Sequence, residues 1–117
     1  MQLRMNTRTL DGVLVVDCNG RIVFGEESAA LRDKIKAVLA QSPRVVLNLG
    51  EVSYIDSGGL GTLVSLYTTA RNAGGALKLA RLTDRVDDLL QVTKLVSIFE
   101  VFDSEQSAVQ SFKKDAA

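Results

Sequence analysis

Asp56, Ser57, Gly58 and Gly59 stand side by side, followed at once by Leu60-Gly61-Thr62-Leu63. A serine hydroxyl set between a carboxylate and two glycines could serve as a nucleophile, part of an anion cradle, a helix cap, or a surface that another protein reads. Hydrolysis needs a base, and the sequence contains no histidine. The usual acceptor of a serine proton and the commonest metal ligand are therefore both missing. The nucleophile elbow also requires a glycine two residues before the serine, where Ile55 stands. A Ser–Lys pair using Lys78 or Lys94 is open in principle, but nothing in the sequence brings either lysine to Ser57. The glycines would expose N–H groups at a helix start, which suits an anion. The stretch nevertheless lacks the lysine and spacing of a phosphate-binding loop and does not fit the dinucleotide fingerprint. Asp87-Asp88 and Glu26-Glu27 are adjacent pairs without supporting ligands, and read as solvated helix faces. No metal and no cofactor is expected.

As a cap, Asp56 or Ser57 would stabilise a helix by about 0.5–2 kcal/mol over alanine. Two glycines at the first helical positions go beyond that need, since each costs up to about 1 kcal/mol relative to alanine. What they supply is a bare surface, on which another molecule can approach the serine closely.

The elements that position this stretch follow from periodicity. Leu3, Met5 and Thr7 alternate with Arg4, Asn6 and Arg8, as in a half-exposed strand. Asp11-Gly12 suits a tight hairpin, and Val13 to Cys18 forms a second strand that Gly20 should end. Leu31, Ile35, Val38 and Leu39 recur at helical spacing between Glu26 and Gln41, and Ser42-Pro43 stops that helix. Val45 to Leu49 is a central strand. Leu60, Leu63, Val64 and Tyr67 stripe a second helix that ends at Asn72-Ala73-Gly74-Gly75, where glycine takes the left-handed position. Ala76 to Ala80 is a strand, and Thr83-Asp84 caps a helix bearing Val86, Leu89 and Leu90. Ile98 to Val101 is a weak last strand. Asp103 with Gln106 resembles a capping box for a final helix through Phe112, and Lys113 to Ala117 should fray. The order is β-β-α-β-α-β-α-β-α: a single α/β domain over residues 1–117, with a mixed, mostly parallel sheet of four to five strands and about four helices. The sequence leaves open on which faces the helices lie.

Composition narrows the partners. Lys and Arg number 14, as do Asp and Glu. With no basic excess, no Trp and only 5% aromatics, the chain is unsuited to nucleic acid. No apolar run approaches the roughly 20 residues that span a bilayer. Met1-Gln2-Leu3-Arg4-Met5 lacks the apolar core of a signal peptide, so a cytoplasmic address and no membrane association are expected. Cys18 is the only cysteine. It lies in an apolar run, as a buried reduced thiol would.

"LNLGEVSYIDSGGLGTL" (residues 47–63) and "NAGGALKLARLTDRVDDLLQVTKLVSIFEV" (residues 72–101) resemble the STAS domain, most closely that of bacterial anti-sigma factor antagonists. The resemblance runs from the first hairpin to the last helix. It implies a non-enzymatic partner-switching protein that binds an anti-sigma factor serine kinase and so frees the sigma factor. It also implies phosphorylation by that kinase at the serine after the motif aspartate, here Ser57, which breaks the complex until a serine phosphatase restores it. The partner surface then comprises Arg21, Ile22, Phe24, Asp56, Ser57, Gly58, Gly59 and Thr62. Two positions depart from the family's pattern. Val23 follows Gly20-Arg21-Ile22 where members often carry Asp, and Gly58 replaces the second motif serine of many members. The other function the resemblance allows is a STAS scaffold, or an accessory subunit of a signalling assembly or transporter.

Overall fold

A computed structural model of the protein describes residues 2–116. The alternating N-terminal run is β1 (Leu3–Leu10), joined to β2 (Val13–Ile22) through Asp11 and Gly12. Both turn residues take positive φ, 51° and 78°, as a two-residue hairpin with the right-handed twist of its strands demands. β1 and β2 pair antiparallel from Leu10↔Val13 to Leu3↔Gly20. β2 does not stop at Gly20, as the sequence suggests. Register shifts at Asp17/Asn19 and Gly20/Arg21 let it bend and continue to Ile22 beside β3. Gly20, at φ 124°, has the Gln2 carbonyl oxygen only 2.0 Å from where a Cβ would sit.

The chain then runs through α1 (Glu26–Leu39), β3 (Arg44–Ile55), α2 (Ser57–Asn72), β4 (Ala76–Ala80), α3 (Asp84–Val92), β5 (Val101–Phe102) and α4 (Glu105–Ala116). This is the expected element order. The sheet has five strands in the order β1-β2-β3-β4-β5. Every pair after the first is parallel, because each of those strands returns through a helical crossover. β5 is two residues long and lies later than the sequence indicates. Thr83 caps α3, accepting from the Val86 N–H, and Gly74 takes the left-handed position after α2 at φ 81°. Two expectations near the C-terminus are corrected. The Ser107 N–H donates to the Ser104 hydroxyl, 3.0 Å away, so Ser104 rather than Asp103 caps α4. The helix also continues past Phe112 to Ala116; Ala117 lies outside the described residues.

The two sheet faces carry unequal loads. On one, Leu14, Val16, Val45, Leu47 and Leu79 pack against Leu31 and Ile35 of α1, Leu63 and Leu66 of α2, and Leu90 of α3. Cys18 joins this core and is 2% exposed. On the other face Val13, Val15, Val46 and Ala80 meet Ala108, Val109 and Phe112 of α4, with Leu10, Ala76 and Phe102 at the margin. Strand alternation puts Lys78 on this second face, fully buried. Its ammonium donates to Ser111 Oγ at 2.7 Å and Asp115 Oδ2 at 2.6 Å. It lies 4.2 Å from the centre of the Phe112 ring.

Candidate functional site

β2 and β3 are parallel neighbours that end in register at Ile22↔Ile55. The turn after β2 therefore lies against the start of α2, and one side chain ties the two together. Asp56 is extended, at φ −104° and ψ −178°, and caps α2 by accepting the Gly59 N–H at 2.7 Å. Its carboxylate also accepts the Phe24 N–H, at 3.2 and 3.1 Å. The Gly59 N–H, supported by that of Phe24, holds the Asp56 carboxyl below the usual carboxylate range. With the capping role taken by Asp56, Ser57 begins the helix as an exposed residue. Among the described residues its hydroxyl has no hydrogen-bond partner.

The glycines have an internal reason that sequence alone does not reveal. A Cβ on Gly59 would sit 1.9 Å from the Ile22 carbonyl oxygen, and one on Gly58 would sit 2.6 Å from Phe24 Cβ. Their bareness lets α2 press onto the end of β2. A Cβ on either glycine would have to push the end of β2 or the turn after it out of place.

The expected surface residues divide by burial. Arg21, Phe24 and Ser57 are exposed, Phe24 by 81%. Asp56 and Gly58 are half-buried, and Gly59 is buried. Thr62 is buried too and donates its hydroxyl to the Gly58 carbonyl at 3.0 Å. Ile22 is fully buried, so its side chain cannot meet a partner. Its contribution is main-chain: its carbonyl accepts the Asp56 N–H at 3.3 Å. Glu27, read from sequence as solvated, is buried and accepts the Gln2 N–H at 2.8 Å.

Ser57 stands between two open cavities. One, of about 420 Å³, lies between α1 and α2, where Phe24, Ser28, Arg32 and Thr62 join Ser57 in lining it. The other, of about 490 Å³, is bounded by Tyr54, Asp56 and Ser57 on one side and by Arg85, Asp88 and Val92 of α3 on the other. Arg32 and the α3 residues escape the sequence reading because they lie far from the motif in the chain. One signal was available. Val92 falls off the stripe formed by Val86, Leu89 and Leu90, and it is 79% exposed. Lys78 is committed to α4 across the sheet and offers Ser57 no base. Among the described residues, no three His, Cys, Asp or Glu side chains gather to hold a metal ion.

This arrangement sits on a STAS domain: the family model matches residues 4–108, and the chain belongs to that family. Over 111 residues it is 34% identical to the anti-sigma-B factor antagonist of Bacillus subtilis, a match covering 94% of this chain and 100% of that one. An anti-sigma factor antagonist from Mycobacterium paratuberculosis superposes with a TM-score of 0.80 at 25% identity, covering 93% of this chain and 92% of that one. The unphosphorylated anti-sigma factor antagonist SpoIIAA gives a TM-score of 0.77 at 17% identity, covering 95% and 97% of the two chains. The phosphorylated form of the Bacillus protein SpoIIAA gives 0.69 at 16% identity, covering 94% and 98%. None of its described helices is long and apolar enough to cross a membrane.

Proposed function

We propose that this protein is an anti-sigma factor antagonist controlled by phosphorylation of Ser57. It binds an anti-sigma factor with serine-kinase activity through the start of α2 and the turn after β2, and so frees the sigma factor. The observation that carries this reading is the exposed, unpartnered Ser57 hydroxyl on a rigidly capped helix, beside the exposed Phe24 ring. That free hydroxyl favours a switch over a passive scaffold. Phosphorylation adds about −1.5 to −2 charges. The helix N-terminus tolerates them, so the fold stands. A partner packed on Ser57 has to bury the dianion beside Asp56, and a loss of about 4 kcal/mol weakens binding roughly a thousandfold. A serine phosphatase then resets the protein, and the cycle operates in the cytoplasm.

Incubation with the cognate kinase and ATP should add one phosphate, located on Ser57 by mass spectrometry. Modification confined to Thr62, Ser65 or Ser107 would overturn the assignment.

A further inference from the structure

Where the phosphate goes once it is on Ser57 depends on which cavity receives it. Two arginines offer themselves, and their circumstances differ. Arg85 lines the α3 cavity together with Asp56 and Asp88. Its guanidinium lies over the Tyr54 ring, 5.7 Å from the centre, so it is engaged already and has two carboxylates for company. Among the described residues, Arg32 is the only charged one lining the α1–α2 cavity. It is half-buried, yet among the described residues its guanidinium makes no hydrogen bond and no ion pair. A guanidinium presents five N–H donors in a planar fork that matches phosphate oxygens in pairs. Repulsion from Asp56 and Asp88 disfavours the α3 cavity for a dianion; among the described residues, no carboxylate lines the α1–α2 cavity.

We infer that Arg32 is the intramolecular counter-ion of phosphorylated Ser57. The modified side chain turns into the α1–α2 cavity and is held there by the guanidinium. This rests on Ser57 being the modified residue, as proposed above, and adds where the phosphate is lodged and by what. Arg32 acts on the phosphate alone; the unmodified protein has no use for the pair.

The test installs phosphoserine at position 57 of the full chain during translation, so that no kinase is needed. Phosphorus NMR then follows the second ionisation of the phosphate, whose ordinary value is about 6. A guanidinium within reach favours the dianion. In Arg32→Gln the transition should therefore move up by about 0.5 pH units or more. Arg32→Lys should retain part of the effect, and Arg85→Gln should leave the transition where it is. Circular dichroism checks that each variant is folded. In the unmutated protein, the Arg32 Nε–H signal should shift and its hydrogen exchange should slow when position 57 carries phosphate. This readout stands even if a variant fails to fold. An Arg32→Gln titration superimposable on the parent, a larger shift in Arg85→Gln, or an unmoved Arg32 signal would each overturn the inference. These outcomes do not depend on any kinase. If the kinase modifies another residue, the proposed function fails while the lodging of the phosphate is still decided.

Discussion

At the start of α2 the chain is held by main chain pressed on main chain, whereas under α4 it is held by side chains gathered round one lysine. Gly59 has the Ile22 carbonyl where its Cβ would be, and the Asp56 carboxylate bonds two backbone N–H groups from separate segments. These contacts fix where α2 starts, and with it the position of Ser57. Under α4 the long stem of Lys78 bridges the gap, and its partners Ser111 and Asp115 lie on a helix that meets the sheet through a small core. Long side chains can readjust; backbone atoms in contact cannot. The end of the molecule that presents Ser57 should therefore punish small changes, and the α4 face should forgive chemically large ones.

Gly59→Ala tests the first half most severely. In an ordinary helix interior this change stabilises by up to about 1 kcal/mol. Here the added carbon meets a carbonyl oxygen, and a loss of about 3 kcal/mol or outright failure to fold is expected by urea denaturation. A gain in stability would end the backbone-contact account. Lys78→Ala, which removes far more atoms, should cost about 2 kcal/mol by the same measurement. Lys78→Met, which refills the space, should cost less than about 1.5 kcal/mol. Asp115 is 57% exposed and can turn to water when its partner goes. If the methionine variant were as damaged as the alanine one, the lysine charge rather than its stem would be holding α4.

Asp56→Ala should cost about 1–2 kcal/mol as a lost cap. Because its folded carboxyl titrates below the unfolded value of about 3.9, charged Asp56 stabilises the fold above that value. The contribution is lost as pH falls through the lower folded value. The stability gap between the parent and Asp56→Asn should accordingly narrow with acidification below about pH 4, as thermal melts across the range will show. Ser57→Ala should have the smallest effect, within about 0.5 kcal/mol, since the cap is Asp56 and the hydroxyl has no partner among the described residues. It should still bind the partner kinase in calorimetry, because a methyl group brings no charge.

The parts legible in the sequence were those written in local periodicity. The alternation of β1, the Asp11-Gly12 hairpin, the stripes of α1 and α2 and the glycine stop after α2 all appear where their patterns lie. What was illegible depends on partners distant in the chain. Gly20 reads as a terminator, yet bulges carry β2 through it because β3 runs alongside. Glu27 reads as solvated until the Gln2 backbone arrives over it. Gly58 and Gly59 are conspicuous in sequence, but what they accommodate is the turn after β2, more than 30 residues earlier. Arg32 gave no signal at all, since a charged residue on an amphipathic helix is unexceptional until the cavity beside it is known.

Cys18 gives the protein a property unrelated to its partners. Burial pushes its thiol up to about 12, and only the thiolate attacks alkylating reagents. At neutral pH the folded protein should be silent to iodoacetamide, and a molecule becomes labelled only when β2 parts from its neighbours. With a single cysteine in the chain, each modified molecule records one opening event. The labelling rate is thus a natural clock for breathing of the sheet. Comparing that rate with and without a phosphate at position 57 would tell whether the modification is felt in the middle of the sheet or stays at the ends of its strands.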